Sequence, residues 1–265
     1  DSLSKTMTIV VIEKEKTTMS YLPLTVVALL AVTILGVTAE PVYAMHISEG
    51  ILPMGWAVLW FLASLPFVVL GLRNLRIRSE KEPHFKAMVG LVGAGVFVIS
   101  CMPIPVPIAG TCSHPCGTGL AAILIGPSIS VVVSSVALLL QALFLAHGGL
   151  TTLGANIFSM GVAGSFAGYG IFVLCRRMGL SFIVAAFLAG VLSDWATYAT
   201  TSFILTGALH ADTSFWKMFV TILLAFVPTQ VPLGILEGFL SAGAYSFVHS
   251  RRPEYLGIFA KGGVA

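Results

Sequence analysis

Charged residues are scarce in this chain: only 9% of its 265 residues are Asp, Glu, Lys or Arg, whereas 57% are hydrophobic. Soluble domains usually carry about 25% charged residues, so this composition excludes an ordinary soluble fold. The mean hydropathy of +0.98 predicts a polytopic membrane protein. The net charge is only +3, and no basic patch with interleaved aromatic residues indicates nucleic-acid binding.

Several functional motifs are also missing. Four cysteines in a chain of this length do not form a disulfide framework. The sequence has no G-x-x-x-x-G-K-[ST], so the chain does not bind ATP through a Walker loop. It also has no H-E-x-x-H, and a catalytic metal site would need both an open coordination position and a general base. An intramembrane metalloenzyme is therefore only a remote alternative.

The first 44 residues have the pattern of a signal peptide. Residues 1–21 are mixed and polar, residues 22–38 are apolar, and Val42-Tyr-Ala44 places a tolerated residue and a small residue at −3 and −1 of a cleavage site. We expect cleavage after Ala44, which removes residues 1–44 and leaves 45–265 as a single transmembrane domain. The alternative is an uncleaved first membrane helix, since about 17 apolar residues are at the short end of the spanning range.

Six apolar segments follow the expected cleavage site, at about 54–72, 87–108, 118–147, 153–175, 180–206 and 216–248. The segment 118–147 would form a helix of ~45 Å, whereas the hydrocarbon core is ~30 Å thick. Gly126-Pro127 interrupts it, because proline breaks helical hydrogen bonding. It is either one kinked helix or two short ones. The last segment contains two prolines, and we interpret it as one tilted or kinked helix.

Clusters of basic residues decide how often this segment crosses. They follow the first, fourth and last segments: Arg73, Arg76, Arg78, Lys81 and Lys86; Arg176 and Arg177; Arg251 and Arg252. Basic loops remain in the cytoplasm. If residue 45 is outside, all three clusters are cytoplasmic only when 118–147 crosses twice. The prediction is an all-α membrane protein with about seven transmembrane helices, its mature N-terminus outside and its C-terminus in the cytoplasm.

A mature chain that starts at Met45 would carry a metal chelate at its N-terminus. The Met45 amine, the backbone nitrogen of His46 and the His46 Nδ1 atom can close a five-membered and a six-membered ring around one ion. These nitrogens lie in one plane, and a fourth nitrogen would complete a square-planar site of the kind that suits Ni(II) and Cu(II). Because the ion must displace the amide proton, its affinity should rise with pH.

The fourth ligand should come from an outer loop. Among the six histidines, His114 lies in the outer segment 109–117, with His147 and His210 as competitors. Cys112 and Cys116 flank His114, so a Cys–His–Cys soft-metal site or a disulfide is an alternative. Their C-x3-C spacing does not fit a zinc knuckle, and we expect small, partly buried residues there.

Polar groups within membrane segments are costly and suggest function. Gln141 and Asn156 could hydrogen-bond the ligand loops as outer-shell partners. For Asp194 and Glu237 we expect hydrogen bonds between helices. Glu49 either neutralises positive charge near the metal or orients the N-terminal segment, and an ordinary capping role is the alternative to both.

Five motifs lie along the chain: Met45-His-Ile-x-Glu-Gly50, Ser113-His-Pro-x-Gly-Thr-Gly-Leu120, Gln141-Ala-Leu143, His147-Gly-Gly-Leu-Thr-Thr-Leu-Gly-Ala-Asn156 and Asp194-x-x-Thr-Tyr198. Taken together, these motifs closely resemble the CbiM group, the substrate-binding membrane subunits of energy-coupling factor (ECF) transporters for cobalt. The resemblance covers essentially all of residues 45–250. The chain departs from the motif of this group at Cys116, where the resemblance leads us to expect a Thr-like residue.

The resemblance implies a ligand set and a function. It assigns the metal ligands to Met45, His46 and His114, with Glu49, Ser113, Gln141 and Asn156 as candidates around them. It implies Co(II) capture for cobalamin synthesis, with Co(II) as substrate and no resident cofactor. It also implies a transmembrane coupling subunit, two ATP-binding subunits and a small accessory membrane subunit as partners, in a bacterial inner membrane. Import of Ni(II) by a sister group is the main alternative, and a passive metal channel is a further one.

Overall fold

A computed structural model describes residues 46–82, 84–102, 104–106, 111–253 and 256. The predicted signal peptide and Met45 lie outside the described residues. Within them, the chain is dominated by seven helices, counting Leu153–Arg177 as one. In chain order they are α1 (Met54–Lys81), α2 (Phe85–Ser100), α3 (Thr118–Ile125), α4 (Pro127–Phe144), α5 (Leu153–Arg177), α6 (Phe182–Leu209) and α7 (Phe215–Arg251).

Five of these helices, α1 and α4 to α7, are long and apolar enough to cross a membrane, whereas α2 has 16 residues and α3 has 8. The all-α membrane fold is therefore confirmed, with seven as an approximate count of spans. The segment between α2 and α3 adds a feature that was not predicted. Strands β1 (Ile104–Val106) and β2 (Thr111–Ser113) form a short antiparallel hairpin in which Ile104 pairs with Ser113.

The chain reverses direction at Gly126, which divides the long 118–147 segment into two helices. The Ser130 hydroxyl donates a hydrogen bond to the Thr118 carbonyl over 3.3 Å. In one continuous helix these residues would be ~18 Å apart. Gly126 has a φ of +94°, which only glycine adopts readily, and Pro127 occupies the first turn of α4, where its missing N–H is tolerated.

The three basic clusters lie at one end of the helical bundle. The Asn74 amide, among the arginines of α1, donates to the Ser128 hydroxyl at the α3–α4 turn over 2.8 Å. The Arg176 guanidinium stacks 3.5 Å from the centre of the Phe182 ring, which lies 5.1 Å from the ring of His249 near the end of α7. This arrangement agrees with the expectation that all three clusters face the same side.

The last helix, α7, is a single element of 37 residues that contains both Pro228 and Pro232, as the sequence indicated. Helix α5 is less regular, because Ile157–Gly164 within it is π-helical. Such wide turns are rare and often occur at functional sites. This one begins directly after Asn156.

Glycines allow close packing of α5 on its neighbours. A Cβ atom at Gly168 would lie 2.9 Å from the Gly119 Cα atom of α3 and 3.0 Å from the Ala189 carbonyl of α6. Both are backbone atoms that cannot rotate away. At Gly170, two residues further along the same helix, a Cβ atom would meet nothing within 4 Å.

We expect Gly168→Ala to lower the free energy of unfolding by about 1–3 kcal/mol through overpacking. Gly170→Ala is the matched control and should be neutral or stabilising, because alanine is the better helix former by about 1 kcal/mol. Thermal unfolding in detergent would compare the two variants. Equal midpoints would contradict the close packing at Gly168.

Candidate metal centre

Three histidines from distant parts of the chain meet at the end of the bundle opposite the basic clusters. His46 precedes α1, His114 precedes α3, and His147 lies between α4 and α5; one ring nitrogen of each lies within 4.8 Å of those of the other two. His46 and His114 are buried, and His147 is half-buried. His210 is not part of this group, because its Nδ1 atom bonds to the Thr206 carbonyl over 2.9 Å.

Hydrogen bonding fixes the tautomer of His114. Its Nδ1 atom lies 2.8 Å from the Pro115 carbonyl, which can only accept, so Nδ1 carries the proton. The Nε2 atom of His114 is then left with a lone pair, 3.3 Å from Nε2 of His46. The Tyr198 hydroxyl donates to the His114 carbonyl over 3.3 Å and holds the backbone at this point.

A chain of hydrogen bonds likewise orients His46. The Ser100 hydroxyl uses its one proton in a hydrogen bond to the Val96 carbonyl (2.7 Å). It can therefore only accept from its other neighbour, the Gln141 amide nitrogen (2.7 Å). The Gln141 Oε1 atom therefore faces His46, where it accepts from Nε2 over 2.9 Å. The Nδ1 atom of His46 is left unprotonated, and this is the atom that an N-terminal chelate requires.

Asn156 binds the backbone that follows His46. Its Oδ1 atom accepts from the Ile47 N–H over 2.8 Å, and its Nδ2 atom donates to the Ile47 carbonyl over 3.2 Å. The Thr152 hydroxyl donates to the same carbonyl. One amide side chain thus satisfies both backbone groups of Ile47, which fixes the path of the N-terminal segment.

Glu49 links this segment to the 147–152 loop. Its carboxylate accepts from the Thr151 N–H over 3.2 Å, and hydrogen bonds from Thr151 lower the pKa of Glu49. Gly149 allows the two segments to touch, since a Cβ atom there would lie 2.7 Å from the Glu49 Cα atom. Among the roles considered for Glu49, its geometry favours orientation of the segment over charge neutralisation at the histidines.

Asp194 and Glu237 are placed differently from the prediction. Glu237 of α7 accepts from the backbone N–H groups of Cys116 (2.7 Å) and Gly117 (2.9 Å), and Asp194 of α6 accepts from the Cys116 thiol (3.8 Å). Both carboxyl groups thus hold the loop that carries His114 instead of bonding helix to helix. The physical reason is that this buried loop is not helical, so its N–H groups need acceptors from elsewhere.

Cys116 is a free and fully buried thiol, so it forms no disulfide and is more buried than expected. Burial raises its pKa well above the usual value, and the nearby carboxyl groups of Asp194 and Glu237 add to the effect. The thiol is therefore protonated at neutral pH and is not a ready thiolate ligand. The side chains of Cys112 and Ser113 lie outside the described part of the structure.

The histidines present neutral rings. Burial lowers the pKa of His46 to about 3 and holds the pKa of His114 well below its usual value; burial also lowers the pKa of His147. Neutral imidazoles keep a lone pair for a metal ion. A cavity of about 10 Å³, the size of one water or one small ion, adjoins His46 and His114; its lining also includes Cys116, Asn156 and Tyr198.

Comparison with known proteins gives strong sequence matches. Residues 46–255 match the CbiM family, described as the cobalt uptake substrate-specific transmembrane region. A cobalt transport protein CbiM of Geobacter sulfurreducens is 59% identical over 218 residues, which cover 82% of this chain and 63% of that relative. The match thus spans less than two thirds of that relative's length. The CbiM of Sorangium cellulosum is 60% identical over 212 residues, covering 80% of this chain and 94% of the relative.

Two crystal structures share the fold. A transition metal transporter superposes with a TM-score of 0.69 at 22% identity, covering 83% of this chain and 100% of that chain. A truncated transition metal transporter gives 0.68 at 24% identity, covering 78% and 99%. From the family match over residues 46–255 and the identity of about 60% to curated relatives, we conclude that the chain belongs to the CbiM family of multi-pass membrane proteins.

Proposed function

We propose that the mature chain, which starts at Met45, is the metal-capturing membrane subunit of an ATP-driven cobalt importer of the ECF type. The observation that carries this proposal is the meeting of His46 and His114, whose Nε2 atoms are 3.3 Å apart in a buried site. Both rings are neutral, and in the tautomers described above Nδ1 of His46 and Nε2 of His114 carry no proton, so each has a lone pair for an ion.

In this proposal the ion is held by four nitrogens: the Met45 amine, the backbone nitrogen of His46, and the two unprotonated ring nitrogens. Asn156 supports the chelate because it fixes the peptide that follows His46. His46 is only 5% exposed, so the ion must lose its water shell on binding. Nitrogen ligands discriminate against Mg(II) and Ca(II), which prefer oxygen.

The chelate requires cleavage after Ala44, because an uncut chain would have an amide in place of the Met45 amine. We therefore propose that residues 1–44 are a removed signal peptide and that 45–265 form one transmembrane substrate-binding domain. The grouping of the basic clusters at the end opposite the histidines supports a mature N-terminus outside and a cytoplasmic C-terminus, in a bacterial inner membrane.

Partners would supply the energy. ATP hydrolysis is assigned to two ATP-binding subunits, which act through a transmembrane coupling subunit, with a small accessory membrane subunit in addition. Only 17% of the apolar stretch of α1 and 22% of that of α7 are buried within the chain, which leaves wide apolar faces for lipid or for these partners. The names of the relatives favour Co(II), delivered for cobalamin synthesis, over Ni(II).

We expect His46→Ala and His114→Ala to remove bound cobalt from the purified, correctly inserted protein, because each change deletes a ring nitrogen of the chelate. His210→Ala is the matched control, since His210 lies outside the histidine cluster, and it should retain one ion per chain. Elemental analysis of the purified variants would measure the metal content. Stoichiometric cobalt in His46→Ala would contradict the proposed ligand set.

Ala44→Trp should block cleavage, because signal peptidase requires a small residue at −1. The uncut chain would still insert, but it would lack the free amine and lose the ion. N-terminal sequencing together with metal content would test this expectation. An uncut protein that binds cobalt as tightly as the mature protein would refute the role of the Met45 amine.

Asn156→Leu keeps the size of the side chain but removes both hydrogen bonds to Ile47. We expect a decrease of about 10- to 100-fold in cobalt affinity, as is typical when a partner that orients a ligand is lost. Isothermal titration of the metal-free protein would measure it. An unchanged affinity would mean that the N-terminal segment holds its shape without Asn156.

A further inference from the structure

His147 is the third imidazole of the site, and the four-nitrogen chelate gives it no partner. Its Nε2 atom is buried, and none of the described residues forms a hydrogen bond with it. A buried polar atom without a partner is costly, so such an atom in a folded protein calls for an explanation. The centre of the His147 ring lies 4.9 Å from that of His46 and 5.4 Å from that of His114. An unpaired nitrogen is therefore held against the proposed ion site.

The backbone on both sides of His147 adopts an unusual conformation. Ala146 has a φ of +49° and Gly148 a φ of +87°. A left-handed backbone is rare for residues other than glycine, and it persists where the surrounding structure imposes it, often at functional sites. The His147 N–H donates to the Gln141 carbonyl over 3.2 Å. The loop thus departs abruptly from α4 at the residue before the imidazole.

Gly148 then allows the loop to approach His46. A Cβ atom at this position would lie 2.9 Å from the His46 Cβ atom and 3.4 Å from the Asn156 amide nitrogen. Only glycine fits both this space and the left-handed backbone. The conformation of residues 146–148 therefore holds the His147 ring next to the proposed chelate.

The affinities and preferred geometries of the divalent metals bear directly on the role of His147. Affinity for nitrogen sites generally rises from Co(II) to Ni(II) to Cu(II), and a square plane of nitrogens suits the latter two. A planar chelate by itself would therefore bind nickel and copper more tightly than cobalt. A site that prefers cobalt therefore needs a coordination geometry other than a square plane of four nitrogens.

We infer that His147 supplies a fifth, apical nitrogen to the bound ion and thereby shifts the preference of the site towards Co(II). In a strong planar field, Ni(II) has two electrons in the orbital along the apical axis, and these repel an apical lone pair. Co(II) has one electron fewer, so that orbital is half-filled and accepts one apical ligand. The inference rests on the proposed chelate, to which it adds a determinant of metal choice.

X-ray absorption at the cobalt edge would test the coordination number. The wild-type protein should show five nitrogen ligands and lack the edge shoulder typical of planar ions. His147→Ala should still bind one ion but lose one ligand and gain the shoulder. His147→Gln, which is closer in size, is a second variant in case the first does not fold, and His210→Ala is the control and should match the wild type.

Competition between equimolar Co(II) and Ni(II) gives a second readout. We expect the ratio of bound cobalt to bound nickel to fall about tenfold in His147→Ala and to stay unchanged in His210→Ala. A tenfold change corresponds to about 1.4 kcal/mol. A purely structural role for His147 would weaken the binding of both ions alike and leave this ratio unchanged.

The failure of this inference can be told apart from the failure of the chelate. A planar edge shoulder in the wild type, or an unchanged spectrum and ratio in His147→Ala, would overturn the role of His147 alone. Loss of all metal from folded His147→Ala would also overturn it, because His147 would then be an essential ligand instead of a tuning one. Metal retained in His46→Ala would instead refute the chelate itself.

Discussion

A backbone that is not helical can lie inside a membrane protein only when other groups satisfy its N–H and C=O groups. Two segments of this chain meet that constraint at the histidine cluster. Asn156 and Thr152 bind the peptide after His46, and Glu237 binds two consecutive N–H groups in the loop after His114. Asn156 of α5 and Glu237 of α7 are buried polar residues that serve these two segments, which in turn hold the two histidines in place.

The same constraint determines the chemistry of the site. Each histidine is oriented by an acceptor that comes from a rigid element or from its own loop: Gln141 of α4 for His46, and the Pro115 carbonyl for His114. These bonds fix which ring nitrogen carries the proton before an ion arrives. Burial keeps the rings neutral, because a charged imidazole is disfavoured away from water.

The arrangement also connects the site to the long helices. The loop that carries His114 is attached to α7 through Glu237 and to α6 through Tyr198, while the N-terminal segment is attached to α5 through Asn156. The geometry of the histidine cluster thus depends on the relative positions of three helices, each long enough to cross the membrane. In a subunit proposed to be moved by its partners, this is a direct physical link between helix position and the proposed metal site.

The sequence by itself determined the membrane class, the break at Gly126-Pro127 and the common side of the basic clusters, because hydropathy, proline and charge act locally. It also singled out His46, whereas the choice of His114 over His147 and His210 came from the resemblance to the CbiM family. It did not predict the hairpin before α3, whose strands are only three residues long. Such short strands carry too few residues for an alternating pattern to be recognised.

Only the tertiary structure decided which polar residues meet. The His46–Gln141 bond joins residues 95 positions apart, and the Cys116–Glu237 bond joins residues 121 positions apart. The tertiary structure also brought His147 into the cluster beside His114, and it turned Glu237 towards the loop that carries His114. No periodicity encodes such pairs, because they follow from how the helices pack and from which buried backbone groups lack a partner.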